Sequence, residues 1–396
     1  FFMTSRCLQN IDLSPFLENH SWSFPVPIEY GLGRMQEIGN FCLTKNCRRP
    51  LVVTDRGSAD LPYVNKLLDS LARAGLDSDL FFNVSPNPRD IEIESGRALF
   101  LSGEHDAVIA IGGGSGLDAG KAIGLTVNNS YDLWDFEYER TSPPLVESDF
   151  PILICIPTTA GTGAETESTA MLTDTVDQVK RCIWHPNFKP ALALLDPELT
   201  INLPSHLTAW TGVDALTHAI EAYSVPDLHP LCDSIALQGM ELVHYCLPQV
   251  YSDPNNISAR GGMLVGSCLS GIAFLKGLGL AHAISHMIGA LYDTHHGLTN
   301  AVLLPSVVRF NAPVLEKKIP KMASAIGLKD HSPEQFFNQL ENLMIELEIP
   351  KNLLDIGVPS GCAQQVAELA IRDSAASTNP RELTVPQIAA VVNSLL

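Results

Sequence analysis

The feature that most constrains this chain is a change of periodicity near its middle. Between about residues 25 and 197, short β-rich runs alternate with helical stretches: 50–55, 63–75, 79–84, 91–102, 107–111, 117–127 and 152–156. Strand-length runs separated by helix-length segments predict a parallel sheet wrapped by helices. After Asp196-Pro197, apolar residues recur at three and four positions through 205–224, 228–249, 258–290, 298–310, 332–346 and 362–373, which predicts helix throughout. The expected fold is an α/β N-terminal domain, residues 1–197, followed by an all-helical C-terminal domain, residues 198–396. Pro197 and Pro204 bracket the connection, ahead of Ser205 as a helix N-cap. A chain of 396 residues exceeds the roughly 250–300 at which single cores stop growing, which independently calls for two domains. A cleft between them is the expected place for an active site. The first twenty residues carry no pattern that predicts structure.

Composition excludes several classes. With 45% hydrophobic and 17% charged residues the chain can bury a core, unlike a disordered one. A net charge of −19, with no cationic run beyond Lys317-Lys318 and Arg48-Arg49, argues against a nucleic-acid partner. The apolar runs 107–111 and 152–156 have strand length, so no membrane crossing is expected. The nine cysteines, at 7, 42, 47, 155, 182, 232, 246, 268 and 362, include no C-x-x-C pair, and no secretory segment is read at the start; a reduced, cytoplasmic protein is expected.

Two loops carry the first chemical signal. Gly112-Gly113-Gly114-Ser115-Gly116 follows the apolar run 107–111 and precedes a helical stretch containing Asp118 and Lys121. Strand, glycine turn and helix form the arrangement in which backbone N–H groups at a helix start hold a pyrophosphate. Taken alone the pattern is weak, because a glycine turn also serves merely to reverse a chain. A second loop, Pro157-Thr158-Thr159-Ala160-Gly161-Thr162-Gly163, follows the run 152–156 in the same way, and its hydroxyls either bond a ligand or satisfy their own turn. Asp55 ends the first strand, where a carboxylate accepts hydrogen bonds from an adenosine ribose and repels a 2′-phosphate, favouring NAD over NADP; a turn aspartate is the plain alternative.

The second signal is a cluster of imidazoles. Asp214 and His218 are four apart in one helical run, so both project from the same face; His282 and His286 repeat that spacing, and His295-His296 follow. One carboxylate with several imidazoles suits a divalent ion such as Fe(II) or Zn(II) rather than Ca or Mg. Single buried histidines are usually core residues, but several from two segments together with an aspartate are harder to dismiss. Spacing leaves open which of His282, His286, His295 and His296 are ligands and which stand behind them.

On these residues the chain resembles the iron-containing (group III) alcohol dehydrogenases, a family that includes lactaldehyde reductases and 1,3-propanediol dehydrogenases. The resemblance is carried in order by Val52-Val53-Thr54-Asp55, Pro86-Asn87-Pro88, the glycine loop with Asp118 and Lys121, Pro157 to Glu165, Thr211 to Glu221, His282-x-x-x-His286, His296-Gly297 and Asn379-Pro380-Arg381. It implies a dehydroquinate synthase-like fold with a dinucleotide-binding domain and a metal-binding helical domain, commonly homodimeric. It implies metal ligands at Asp214, His218, His282 and His296, with His286 beside the ion to place cofactor or relay a proton. It implies NAD contacts at Asp55, Asn87, Gly113, Gly114, Ser115, Asp118, Thr158, Thr159, Thr162 and Lys180. The expected activity is reversible hydride transfer between a primary alcohol or small diol and NAD, on a divalent ion, Fe(II) ahead of Zn(II).

Two departures bear on substrate preference. His295 stands where the family usually has proline, and the stretch Ala273 to Leu280 is one residue shorter than usual, which shifts Phe274, a common pocket residue; Glu167 and Thr169 are further pocket neighbours. The competing readings are a dehydroquinate synthase-type lyase and a non-catalytic assembly module. The four-ligand set with Thr211 to Glu221 disfavours the first, and the presence of every expected ligand disfavours the second.

Overall fold

A computed structural model of the chain describes Leu17 and residues 20–22, 25–140 and 142–396. Most of the patternless opening segment lies outside the described residues. The chain divides into two compact units between Asn202 and Leu203.

The first unit is built on a seven-stranded sheet. Its strands are β1 (His20–Trp22), β2 (Ile28–Tyr30), β3 (Pro50–Val53), β4 (Asp79–Phe81), β5 (Ala107–Gly112), β6 (Ile152–Pro157) and β9 (Leu192–Leu195), in the spatial order β1-β2-β9-β6-β5-β3-β4. All neighbours are parallel except β1, which runs antiparallel to β2 at one edge. The helices between strands are α1 (Ile38–Thr44), α2 (Pro62–Arg73), α3 (Asp90–Ser102) and α4 (Gly114–Thr126).

The central strands read as unbroken apolar runs because both faces are covered. Successive side chains alternate between two cores. Val53, Val108, Ala110, Leu153 and Cys155 pack with Ile93, Phe100, Leu117 and Ile123 on one side. Val52, Ile109, Ile111, Ile154 and Ile156 pack with Ile38, Leu67 and Leu71 on the other. Just after β9, Asp196 accepts from the backbone N–H groups of Gly33, Met35 and Glu198, tying this segment to the one that follows β2.

The sequence reading did not pick out the sheet strands β1, β2 and β9, nor a second small sheet. β7 (Thr169–Asp174) and β8 (Val179–Trp184) form a separate antiparallel hairpin, pinned by Arg181 to Asp174, Glu137 and Asp177.

The second unit is helical, as its periodicity predicts. It contains α5 (Ser205–Ser224), α6 (Pro230–Ser252), α7 (Ile257–Ala273), α8 (Leu280–Tyr292), α9 (His296–Asn311), α10 (Ile319–Ala325), α11 (Pro333–Glu346), α12 (Ala363–Ala370), α13 (Ser374–Ser377) and α14 (Val385–Asn393). α5 is buried almost all round and packs against α6, α7 and α9.

Two sequence expectations change here. The continuous helix read over 258–290 is broken: a single turn, Phe274–Lys276, ends at Gly277 with φ +117°, and α8 starts afresh at Leu280. Apolar periodicity runs through such a break unmarked, because residues on both sides face the same core. Apolar runs are also not all of strand length. The stretch Ile257–Lys276 is long and apolar enough to cross a membrane by length and composition alone, but most of it is buried inside the unit, as befits a core helix.

Candidate functional site

In the first unit the loops after β3, β5 and β6 converge. Gly112 has φ +145°, a backbone shape that disfavours any Cβ, and the chain turns there directly into α4. A Cβ on Gly116 would lie 3.0 Å from Ile111 O, so the helix start can sit this close to the strand only without a side chain. The N-cap of α4 is Gly113, which offers no side-chain hydrogen bond to the first turn. The N–H groups at the start of this helix therefore have no side-chain acceptor from the cap, which is what an anion at a helix N-terminus requires.

The threonine loop packs directly on this turn. Thr158 N donates to Gly112 O at 2.9 Å, and Cβ atoms placed on Gly113 and Gly114 would meet Thr159 at 3.4 Å and Thr162 at 2.8 Å. Ser115 Oγ donates to Pro86 O at 2.6 Å, bringing the segment with Asn87 to the same place. Asp118 accepts from Met171 N at 3.1 Å, linking α4 to β7. Burial pushes the Asp118 carboxyl up, against the pull of Lys121, this backbone N–H and Lys180. Lys180 lies on β8 opposite Thr173. Asp55 is partly buried just beyond β3, and its carboxylate accepts from Ser58 N and Ser58 Oγ at 3.0 and 2.8 Å, closing a tight turn. All ten residues expected to contact cofactor lie in this unit.

In the second unit Asp214, His218, His282 and His296 each offer one ligand atom, and these four atoms lie within 4.8 Å of one another. α5 supplies the first two, one turn apart. α8 supplies His282, and His296 opens α9. Asp214 Oδ1 is 3.7 Å from both His282 Nε2 and His296 Nε2. That is beyond a hydrogen bond, yet within the span that two ligands of one ion bridge at roughly 2.0–2.2 Å each.

The surroundings prepare these atoms. His282 Nδ1 meets Glu221 Oε2 at 2.6 Å, which places the proton on Nδ1 and leaves the Nε2 lone pair facing the cluster. Glu221 also accepts from Gly279 N and Ala281 N, so one carboxylate on α5 fastens the first turn of α8. Burial pushes the Glu221 carboxyl up to about 7, while burial together with His218 holds His282 well below the usual imidazole range. A neutral imidazole is the form a metal needs. The buried His218 Nδ1 has no hydrogen-bond partner of its own. The donor set and its orientation fit a divalent transition ion.

His286 lies outside the four-atom cluster. Its ring stacks on that of His296, with centroids 5.4 Å apart and planes 13° off parallel, and its Nδ1 is 2.9 Å from Asp373 Oδ2. Burial pushes the Asp373 carboxyl up, but His286, the Ala375 N–H and His282 together outweigh it and hold Asp373 below its ordinary value.

His295 also stays out of the cluster. It caps α9, its Nδ1 accepting from Leu298 N at 3.4 Å, and it packs on Trp210; a proline there has no side-chain acceptor to offer. Phe274 packs its ring against His218 at 5.1 Å. Glu167 is buried, its carboxyl pushed up to about 7 by burial, and Thr169 O accepts from Lys121 Nζ.

Sequence reasoning missed Glu221, Asp373 and Asn300 as partners of the histidines. Glu221 follows Asp214 by seven residues and His218 by three on one helical stripe, a spacing that could have flagged it. Asp373 is 87 residues from its partner and left no local signal.

The chain is similar to known proteins along most of its length. The family "Iron-containing alcohol dehydrogenase" matches residues 25–197, and "Fe-containing alcohol dehydrogenase family, C-terminal" matches 208–396. The chain is 35% identical to the 1,3-propanediol dehydrogenase of Klebsiella pneumoniae over 91% of this chain and 95% of that one. It is 33% identical to the NAD-dependent methanol dehydrogenase of Bacillus methanolicus over 92% and 97%. Among solved structures, the sulfoacetaldehyde reductase of Bifidobacterium kashiwanohense, in complex with NAD+, superimposes with a TM-score of 0.84 at 27% identity, covering 93% of this chain and 96% of that one. With both parts of the chain matched by the family and nine-tenths of its length shared with named members, this chain belongs to the iron-containing alcohol dehydrogenases.

Proposed function

We propose that the chain is an NAD-linked dehydrogenase that interconverts a small primary alcohol or diol and its aldehyde, using one divalent ion, Fe(II) ahead of Zn(II). The carrying observation is the convergence of the four donor atoms of Asp214, His218, His282 and His296. A bound divalent ion supplies Lewis acidity, lowering the pKa of an alcohol and stabilising developing alkoxide. The nicotinamide supplies the hydride acceptor.

The chain's own residues do the rest. Residues 1–197 hold the dinucleotide and 198–396 the ion. The N–H groups at the start of α4 bind the pyrophosphate, with Gly113, Gly114 and Ser115 forming the cradle and Thr158, Thr159 and Thr162 closing it. Asn87, Asp118 and Lys180 complete the cofactor contacts. Asp55 accepts from the adenosine ribose and disfavours a 2′-phosphate, so NAD is preferred to NADP. His286, its Nδ1 proton held by Asp373, presents Nε2 to carry the alcohol proton outward. Phe274, beside His218, forms one wall for the substrate. The names of the Klebsiella and Bacillus relatives support a small alcohol or diol, and the latter's name and the NAD+ complex support NAD.

The test is NADH production from short alcohols and diols by the metal-loaded chain, with NADP in parallel. Asp214→Asn and His282→Ala are expected to abolish it. Full activity in either variant after its metal is stripped would sink the reading.

A further inference from the structure

Asn300 is fully buried on α9, one turn beyond His296, and the proposed ligand set does not use it. Its amide nitrogen is 2.7 Å from Asp214 Oδ1, 3.1 Å from His282 Nε2 and 3.2 Å from His296 Nε2. Asp214, His282 and His296 supply three of the four converging donors. An amide nitrogen carries two protons, so it meets three acceptors with two donors.

At His282 the roles are fixed, because Nδ1 is committed to Glu221 and Nε2 must accept. An imidazole nitrogen has one lone pair, which takes either a proton donor or an ion. A carboxylate oxygen has room for both. The other end of the same amide, Asn300 Oδ1, is buried with no hydrogen-bond partner. The amide is thus turned so that its nitrogen serves the cluster at the expense of its oxygen.

We propose that the Asn300 carboxamide is a built-in placeholder for the ion: it holds Asp214, His282 and His296 together through its N–H groups and yields the imidazole lone pairs when an ion binds. Its bond to Asp214 survives the exchange, so the aspartate stays oriented throughout. The side chain then makes the ligand set stable before loading, at some expense of affinity.

The inference rests on the metal reading of this cluster, and its test separates the two. Full-length wild type and Asn300→Ala are stripped with a chelator and compared in three ways: melting temperature with and without Zn(II), Zn(II) affinity by competition with a chromophoric chelator, and the Co(II) absorption spectrum as a report of the donor set. The stripped variant is expected to melt several degrees below stripped wild type, and the zinc-loaded variant by clearly less below loaded wild type, because only the bond to Asp214 is lost in both forms. Zinc affinity is expected to rise several-fold, because binding no longer displaces the amide. The Co(II) spectrum is expected to stay that of the wild-type donor set.

Equal losses in stripped and loaded forms, or a fall in zinc affinity, would overturn the placeholder role. If wild type itself gains no stability from zinc, the metal reading fails first. Should Asn300→Ala not fold when stripped, Asn300→Ser, which keeps one short donor, is judged by the same criteria.

Discussion

Glu167 shows how far folding moves a single carboxylate. It is buried in the first unit, and burial raises its carboxyl from 4.5 to about 7 against the attraction of Lys121 and Lys189. Between those values the folded chain keeps a proton that the unfolded chain has released. The unfolded state therefore binds fewer protons, and stability falls as pH rises through this window. Above about 7 both states are ionised and the full cost is in place, roughly 3 kcal/mol at most. Glu167→Gln removes this titration. In urea unfolding at a series of pH values, the variant's stability relative to wild type should climb from about pH 4.5 to about 7 and then level off. A difference that stays flat across the window would mean that Glu167 is ionised in the folded protein.

At the scale of elements, the seam between α5 and α9 sets the distance between Asp214 and His296. A Cβ on Gly297 would fall 2.5 Å from Trp210 O and 3.2 Å from Asp214 Cβ. Gly297→Ala must therefore push the first turn of α9 away from α5, carrying His296 with it. The expected outcome is a loss of about 1–3 kcal/mol in urea unfolding, the usual cost of overpacking. Weaker retention of zinc in chelator competition should accompany it. Wild-type stability and affinity in this variant would show that the seam has slack.

The same seam shows what was legible in the sequence. Asp214, His218, His282 and His286 were visible because four-residue spacing is a property of one helix. Which imidazoles meet Asp214 is a property of helix packing, and only the family resemblance distinguished His282 and His296 from His286 and His295. The stripe spacing of Glu221 marks its face of α5, but that it reaches His282, 61 residues on, is a matter of packing between helices. The β7–β8 hairpin went unread although β7 alternates buried and partly buried residues, because its few residues sit beside the stronger glycine and threonine signals.

Across the whole molecule the two candidate sites are divided between units: the glycine and threonine loops belong to 16–202 and the four converging donors to 203–396. Stripping the ion should therefore loosen one unit selectively. In hydrogen–deuterium exchange, amides of α5, α8 and the first turn of α9 are expected to lose protection on chelation, with β3, β5 and β6 unchanged. A uniform loss across both units would contradict this separation. The parallel order of the sheet and the helical character of the second unit were legible because each repeats one period over many residues. The break at 274–279 was not, since Gly277 and Gly279 interrupt the helix without disturbing the apolar pattern.

That break also bears on how such a chain tolerates changes of length. Glu221 grips the backbone at Gly279 and Ala281, and Asn379 grips it at Leu280, so the start of α8 is anchored from elsewhere rather than by the segment leading into it. The approach through Phe274 and Gly277 can consequently gain or lose a residue while His282 keeps its place. A deletion inside α5 has no such refuge: between Asp214 and Glu221 it would rotate everything downstream by about 100° and part the stripe that carries Asp214, His218 and Glu221. Inherited variation in length is therefore expected to collect beside Phe274, without disturbing how Asp214, His218, His282 and His296 converge.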